Sequence, residues 1–173
     1  KEVRMETFRE ALITEPGKII LHEVEKKTPG SGEVMIKVVS SAICGSDMHL
    51  YSGRHPYAKL PTTVGHELAG VIEVIGADVT KFKVGDRVCV EPLIACGHCY
   101  YCQRGRYDYC ETLRLKYRSG SSGYADYYYA EERWVHLLPD GISFDEGALM
   151  EPLACTVHAA IDRKSTRLNS SHC

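Results

Sequence analysis

The sequence lacks the features that mark membrane proteins and nucleic-acid-binding proteins. No apolar run approaches the roughly 20 residues that a membrane helix needs, and the start, Lys1 to Arg9, is too charged for a signal peptide. Lys and Arg number 21 against 23 Asp and Glu, and neither sign gathers into a basic stripe. We therefore expect a soluble, cytoplasmic protein that acts on a small molecule, with neither nucleic acid nor a membrane as its partner.

A dinucleotide-binding fingerprint is also missing. The pattern G-x-G-x-x-G between a strand and a helix would place a pyrophosphate at the N-terminus of that helix. Gly30 and Gly32, and likewise Gly120 and Gly123, lie in turn-like segments without this spacing. No cofactor-binding residue is therefore predicted in this chain.

Short β-rich runs, several of them separated by Gly, Pro or Asp, account for most of the chain. Their number and spacing predict a mainly β, barrel-like antiparallel fold rather than a repeated β-α-β unit. The tyrosines at 127–129 are interpreted as alternating faces of one strand. The predicted strands are Glu33–Ile43, Leu68–Ile75, Arg87–Val90, Tyr124–Ala130 and Trp134–Leu138.

Helical signal appears only near the C-terminal end. Ser143 stands three residues before Glu146, which is the arrangement of a capping box, and an apolar run follows. This predicts a helix over Phe144–Met150. Proline fits best at a first helical position, so we expect a second short helix from Pro152 to about Ile161.

Four of the eight cysteines form the pattern C-x2-C-x2-C-x7-C, at Cys96, Cys99, Cys102 and Cys110. Four thiolates satisfy a tetrahedral zinc ion and leave no open position, so such a site stabilises structure and does not catalyse. The alternatives are a pair of disulfides, ordinary packed cysteines, or an iron–sulfur cluster. The absence of an export signal and the tight spacing favour structural zinc.

A second group of potential ligands lies earlier in the chain. Cys44-Gly-Ser46-Asp47-Met-His49 is followed by Gly65-His66-Glu67. A thiolate, an imidazole and a carboxylate form the mixed set expected of catalytic zinc, which keeps a position open for water or substrate. Gly at position 70 excludes the helical H-E-x-x-H of metalloproteases. A lone Cys or His can equally be a packed core residue, and this is how we interpret Cys89 and Cys155.

Taken together, these motifs resemble those of the medium-chain zinc-dependent alcohol dehydrogenases. The stretch Gly65-His-Glu-Leu-Ala-Gly70-Val-Ile-Glu-Val-Ile-Gly76, with the Cys44 motif before it and the four cysteines after it, carries a resemblance that extends from Met5 to Ile161. Ala148-Leu-Met-Glu151-Pro-Leu-Ala is similar to the sorbitol, or polyol, dehydrogenase branch. The resemblance implies a GroES-like β-barrel catalytic domain with short C-terminal helices.

The resemblance also implies a domain organisation. The GroES-like domain would span residues 5–150, with the structural-zinc lobe at 95–111, and residues 151–161 would begin the connection to a Rossmann domain absent from this chain. The segment Asp162-Arg-Lys-Ser-Thr-Arg-Leu-Asn-Ser-Ser-His172 resembles the translation of a sequencing-adapter oligonucleotide. Residues 162–173 are therefore interpreted as a non-native tail.

Roles for individual residues follow from the same resemblance. Cys44, His66 and Glu67 would hold a catalytic zinc, with Glu151 as a further ligand or as the residue that holds a water at the metal. Ser46 would begin a proton relay and His49 would end it, while Asp47 would accept the other ring N–H of His66 and fix its tautomer. A turn serine, an exposed loop histidine and a capping aspartate are the alternatives for these three.

The predicted activity is oxidation of a secondary alcohol or polyol with transfer of hydride to NAD or NADP, by a full-length homodimer or homotetramer that holds two zinc ions per chain. Tyr51, Arg54 and Tyr57 would line the substrate cleft, and this chain alone is expected to be inactive. Two alternatives are a non-catalytic zinc-stabilised module and a threonine- or glucose-dehydrogenase-like activity. The zinc site requires the Cys44 sulfur and the His66 ring to lie within about 6 Å of each other.

Overall fold

The computed structural model describes residues 6–56, 59–115 and 121–161. Met5, Tyr57, Gly120 and the segment 162–173 lie outside the described residues. The strands are β1 Thr7–Glu15, β2 Lys18–Glu25, β3 Glu33–Ala42, β4 Thr62–Thr63, β5 Glu67–Ile75, β6 Arg87–Val90, β7 Leu93–Ile94, β8 Arg114–Leu115, β9 Tyr127–Glu131 and β10 Val135–Leu137. The helices are α1 Gly45–Tyr51, α2 Phe144–Ala148 and α3 Met150–Ile161, with short 3-10 turns at Cys102–Arg104, Tyr107–Tyr109 and Glu132–Trp134.

The strands form antiparallel sheets throughout the described residues. A three-stranded sheet has the order β2-β1-β4, a five-stranded sheet has the order β10-β6-β5-β3-β9, and β7 pairs with β8 in a separate ribbon. A β-bridge between Glu10 and Ala125 connects β1 to the segment that leads into β9. The two larger sheets therefore continue into each other, and the predicted mainly β, barrel-like antiparallel fold is confirmed.

The main core lies against the five-stranded sheet and follows the two-residue period of its strands. Val34 and Ile36 on β3 are fully buried together with Leu68 and Ile72 on β5. Tyr128 packs in this core, whereas its neighbours at 127 and 129 pack around Phe8 on the other face of β9. The alternation predicted for the three tyrosines is therefore confirmed, and removal of these apolar faces from water is what holds the sheet together.

Most predicted strands match the observed ones within one residue at each end. The exception is the run predicted to start at Tyr124, because β9 begins only at Tyr127. The residues before β9 form hydrogen bonds with β1 instead. The N–H of Ala11 donates to the carbonyl of Tyr124 at 2.8 Å, and the N–H of Asp126 donates to the carbonyl of Arg9 at 2.9 Å.

Two elements near the N-terminus are not predicted by the sequence analysis. The hairpin β1–β2 does not show the alternation of apolar and polar residues that indicates a strand. On β2 three consecutive apolar residues are exposed, Ile19, Ile20 and Leu21. Helix α1 has Cys44 at its N-cap, a residue type outside the usual Ser, Thr, Asp and Asn signal.

The C-terminal helices differ slightly from the prediction. The capping box is present: the Ser143 hydroxyl accepts from the Glu146 N–H at 3.2 Å, and the Glu146 carboxylate accepts from the Ser143 N–H at 2.7 Å. The first helix ends at Ala148, two residues early, and the second begins at Met150 rather than at Pro152. Proline is tolerated there because the N–H groups of a first turn have no partner within the helix.

Within the described residues, no helix is long and apolar enough to cross a membrane.

Candidate metal centres

The first candidate centre is a compact loop between β7 and β8. Four sulfurs converge within 4.8 Å of one another, those of Cys96, Cys99, Cys102 and Cys110. The sulfurs of Cys96 and Cys102 are 3.9 Å apart. Two zinc–sulfur bonds of about 2.3 Å at a tetrahedral angle separate the sulfurs by about 3.8 Å, so this spacing suits one shared ion. All seven cysteines among the described residues are free, which does not favour the disulfide alternative.

Backbone amides prepare part of this loop for metal binding. The N–H of Cys96 donates to the sulfur of Cys110 at 3.2 Å, and this bond lowers the pKa of Cys110 to about 6. Burial raises the pKa of Cys102 to about 12. A thiolate is the form that binds a metal, so this amide hydrogen bond favours the form of Cys110 that an ion would take.

The second candidate centre arises from the pairing of β3 with β5. In this antiparallel pair Ala42, the last residue of β3, lies opposite Glu67, the first residue of β5. Cys44 comes two residues after Ala42 and His66 comes directly before Glu67. The register therefore brings two segments that are far apart in sequence to the same end of the sheet.

At this end the ligand atoms of Cys44, His66 and Glu67 all lie within 4.8 Å of one another. This is inside the limit of about 6 Å that a shared metal ion sets. His66 is 7% exposed and Glu67 is 5% exposed. A thiol, an imidazole and a carboxylate that converge form the mixed donor set of a catalytic divalent-metal site, so these residues fit a divalent metal.

Asp47 lies behind the histidine of this cluster. Its Oδ1 is 3.7 Å from Nδ1 of His66, a separation longer than a hydrogen bond. Its Oδ2 accepts from the N–H of Cys44 at 3.0 Å, so the same carboxylate also caps α1. The two roles weighed for Asp47 are therefore compatible.

Glu151 and Cys155 stand at the rim of the second centre, on α3. Glu151 is half-buried, and burial raises the pKa of its carboxyl, with further influence from the charges of His66 and Glu67. It is not among the three residues whose ligand atoms converge. The sulfur of Cys155 lies 3.8 Å from Oε1 of Glu151. Cys155 is exposed, so the interpretation of Cys155 as a core residue is wrong. Cys89 is buried as expected.

The residues predicted for proton transfer and substrate contact follow the second centre on α1. Ser46 is half-buried and His49 is exposed, and residues three apart in a helix are neighbours on its surface. Tyr51 donates its hydroxyl to the carbonyl of Gly17 at 2.6 Å, so that hydroxyl is bound to the β1–β2 turn. Arg54 contacts the hydroxyl of Ser52 at 3.0 Å, and Tyr57 lies outside the described residues.

One residue of this region, Tyr124, is absent from the site residues predicted from the sequence, where it appears only as the start of a strand. Its hydroxyl lies 2.8 Å from Oδ2 of Asp47 and 3.0 Å from the carbonyl of Ala42. Burial, reinforced by the hydrogen bond to Asp47, raises the pKa of Tyr124. No local pattern marks this tyrosine, because it reaches the site only through the tertiary fold.

The described residues therefore form an antiparallel β domain that carries two candidate metal sites, a four-cysteine loop and a Cys–His–Glu cluster. Residues 30–140 match the family model of the alcohol dehydrogenase GroES-like domain. This match spans more than half of the chain, so the chain belongs to that family.

Relatives agree with this assignment. The chain is 37% identical to the starvation-sensing protein RspB of Escherichia coli (strain K12) over 145 residues, which cover 84% of this chain and 43% of that protein. It is 42% identical to a sorbitol dehydrogenase of Bacillus subtilis (strain 168) over 137 residues, 76% of this chain and 38% of the relative. The chain therefore spans less than half the length of these relatives.

A solved structure shares the fold. The crystal structure of an RspB alcohol dehydrogenase from E. coli CFT073, complexed with NADH, superimposes with a TM-score of 0.76 at 35% identity, covering 84% of this chain and 42% of that one. The part of the relative that this chain does not cover exceeds half of its length.

Proposed function

We propose that this chain is the metal-binding part of a zinc-dependent oxidoreductase that transfers hydride from a secondary alcohol or polyol to NAD or NADP. The observation that carries the proposal is the convergence of Cys44, His66 and Glu67 within 4.8 Å at the end of the β3–β5 pair. A closed structural zinc site usually has four protein ligands, whereas three ligands of mixed type are typical of catalytic zinc.

In this proposal the two centres have different tasks. Cys96, Cys99, Cys102 and Cys110 hold a structural zinc that orders the loop between β7 and β8. Cys44, His66 and Glu67 hold a second zinc, which when bound supplies Lewis-acid stabilisation to the substrate oxygen. Glu151 stands nearby as the residue that orients water or substrate, because its carboxylate lies outside the three converging ligands.

Proton transfer is assigned to α1. The Ser46 hydroxyl, half-buried two residues after Cys44, accepts the substrate proton as it gives up its own, and the exposed His49 delivers a proton to solvent. Asp47 orients the ring of His66, with its Oδ1 3.7 Å from Nδ1.

The identities of the substrate and the cofactor are proposed by analogy with the relatives. One relative is named sorbitol dehydrogenase, and the similar solved structure contains NADH. The nicotinamide would be held by the part of the full-length protein beyond this chain, which carries the redox chemistry. A cytoplasmic location and assembly as a homodimer or homotetramer remain part of the proposal.

The proposal is tested at two levels. Metal analysis of the purified chain should find two zinc equivalents, while one equivalent at the four cysteines alone would support the non-catalytic module. The completed gene product should reduce NAD or NADP with sorbitol or related polyols and lose this activity in the His66→Ala variant. Turnover by the 173-residue chain alone would contradict its assignment as an inactive fragment.

A further inference from the structure

We propose that Tyr124 is a positioning residue for the second centre: it holds the Asp47 carboxylate in place and, through Asp47, sets the orientation of the His66 ring. This inference rests on the proposed function, because it assumes that Cys44, His66 and Glu67 bind a metal ion.

The Asp47 carboxylate divides its two oxygens between two tasks. Oδ2 accepts from the Cys44 N–H at 3.0 Å and from the Tyr124 hydroxyl at 2.8 Å. Oδ1 faces Nδ1 of His66 at 3.7 Å and, among the described residues, has no hydrogen-bond partner although it is buried. Burying an oxygen without a hydrogen bond costs free energy, so we infer that Oδ1 of Asp47 accepts the ring N–H of His66. The other ring nitrogen, Nε2, then carries the lone pair for the metal.

Tyr124 is itself held by the segments that deliver the ligands. Its hydroxyl lies 3.0 Å from the carbonyl of Ala42, the last residue of β3. Its backbone N–H donates to the carbonyl of Val64 at 3.3 Å, two residues before His66. The ring packs on the cluster that contains Leu50 of α1. Through its side chain and its backbone, Tyr124 therefore ties β3, α1 and the entry to β5 together.

The backbone before His66 is shaped to admit this ring. Gly65 has φ +94°, and a Cβ at that position would lie 2.7 Å from the Tyr124 ring. A Cβ at Gly123 would lie 3.1 Å from the backbone nitrogen of His66. Glycine is needed at both positions, at Gly65 for its left-handed conformation as well, so that the tyrosine can press directly against the segment that presents the histidine.

The test measures zinc affinity at the second centre in the 173-residue chain, after one equivalent of zinc has filled the four-cysteine loop. We expect Tyr124→Phe, which removes one oxygen and keeps the ring, to weaken this affinity about tenfold, as for other residues that orient a ligand histidine. Cobalt in place of zinc should show an altered absorption spectrum at the second centre and an unchanged tetrathiolate spectrum at the first.

Tyr129→Phe is the matched control. The Tyr129 hydroxyl donates to the Lys27 carbonyl at 2.7 Å and accepts from the Lys27 N–H at 3.0 Å, away from both centres. Its removal should lower thermal stability and leave both metal affinities unchanged. An equal loss of affinity in the two variants would show a general structural effect and overturn the inference.

A double-mutant cycle tests whether Tyr124 acts through Asp47. Asp47→Asn alone should weaken binding, and adding Tyr124→Phe to it should cause little further loss, because the link is already broken. Full additivity of the two losses would overturn the inference.

Two outcomes separate this inference from the proposed function. Failure of the unsubstituted chain to bind a second zinc would refute both. Binding of the second zinc with equal affinity in the unsubstituted chain and in Tyr124→Phe would refute only the role of Tyr124. Should Tyr124→Phe not fold, 3-fluorotyrosine at position 124 keeps the hydroxyl, and its fluorine resonance must move when the second equivalent binds. A resonance that does not move would also refute the role.

Discussion

The two candidate centres bring their ligand atoms to similar distances by different routes. In the first, four cysteines lie between positions 96 and 110, and short turns suffice to bring their sulfurs together. In the second, 22 residues separate Cys44 from His66, and the ligands meet only because β3 pairs with β5 in one register. The first centre is a local chelate, whereas the second depends on the sheet.

This difference predicts which substitutions should remove the metal from each centre. Losing a ligand from the local loop should remove its metal and leave the sheets intact. Disturbing the sheet end should impair the second centre and leave the loop loaded. Substitutions in each region can therefore break or sharpen the contrast.

The largest effect is expected for Cys102→Ser. Structural zinc binding of roughly 10–16 kcal/mol is shared among four thiolates, so loss of one should weaken the affinity of the loop on the order of several hundredfold. Limited proteolysis should then cut the loop, while far-UV circular dichroism of the sheets stays the same. Cys89→Ala, at a buried cysteine outside both centres, is the control and should retain both metals.

His66→Ala should have the next largest effect, at the second centre. Losing one of three converging ligands is expected to weaken binding there about 100-fold, with no change at the four cysteines. Metal analysis after dialysis against a weak chelator would measure this. His136, an exposed histidine 3.6 Å from Glu91, provides the control His136→Ala. Loss of both metals in His66→Ala would contradict the independence of the two centres.

The two carboxylates near the second centre should respond unequally. Glu67→Gln should weaken metal binding about tenfold or more, because its oxygen is one of the converging ligand atoms. Glu151→Gln should have a smaller effect on binding, since Glu151 lies outside that group. Titration calorimetry on both variants would rank them, and a greater loss in Glu151→Gln would reverse the assignment.

The smallest effect is expected outside both centres, at the cap of α2. Ser143→Ala removes the hydroxyl that accepts from the Glu146 N–H, so unfolding free energy should fall by about 1 kcal/mol. Both metal affinities should stay the same. Thermal unfolding with metal analysis checks this, and a change at either centre would mean that α2 supports it.

The same cap predicts a pH dependence. Hydrogen bonds from the Ser143 N–H and hydroxyl hold the pKa of Glu146 below its usual value. The folded pKa therefore lies below the unfolded one, so the stabilisation is complete above the unfolded pKa and is lost as the pH falls through the folded value. The stability difference between the unsubstituted chain and Ser143→Ala should shrink on acidification, and a growing difference would contradict this.

Much of the fold could be predicted from local patterns. The strands around 33–43, 68–75 and 87–90 have apolar residues at the period of a sheet, and they match β3, β5 and β6 closely. The Ser143–Glu146 box correctly predicts the start of α2. The β1–β2 hairpin and α1 could not be predicted in the same way, because β2 exposes consecutive apolar residues and α1 has a cysteine at its N-cap.

Cys155 illustrates a limit of reasoning from residue type. A small apolar thiol near a helix predicts a core position, yet α3 has no buried residue and exposes this sulfur beside Glu151. Whether a helical residue is buried depends on what packs against that helix. In the described residues the outer face of α3 has little packed against it.

The sequence by itself determined the antiparallel β character and the four-cysteine spacing, because strand periodicity and short chelating loops are properties of neighbouring residues. Only the tertiary structure decided that Cys44 meets His66 and Glu67 and that Tyr124 reaches Asp47. Those contacts follow from strand register and from the junction of the two larger sheets at the bridge between Glu10 and Ala125. Register and junction are set by the sum of many buried contacts between distant segments, so no single segment encodes them.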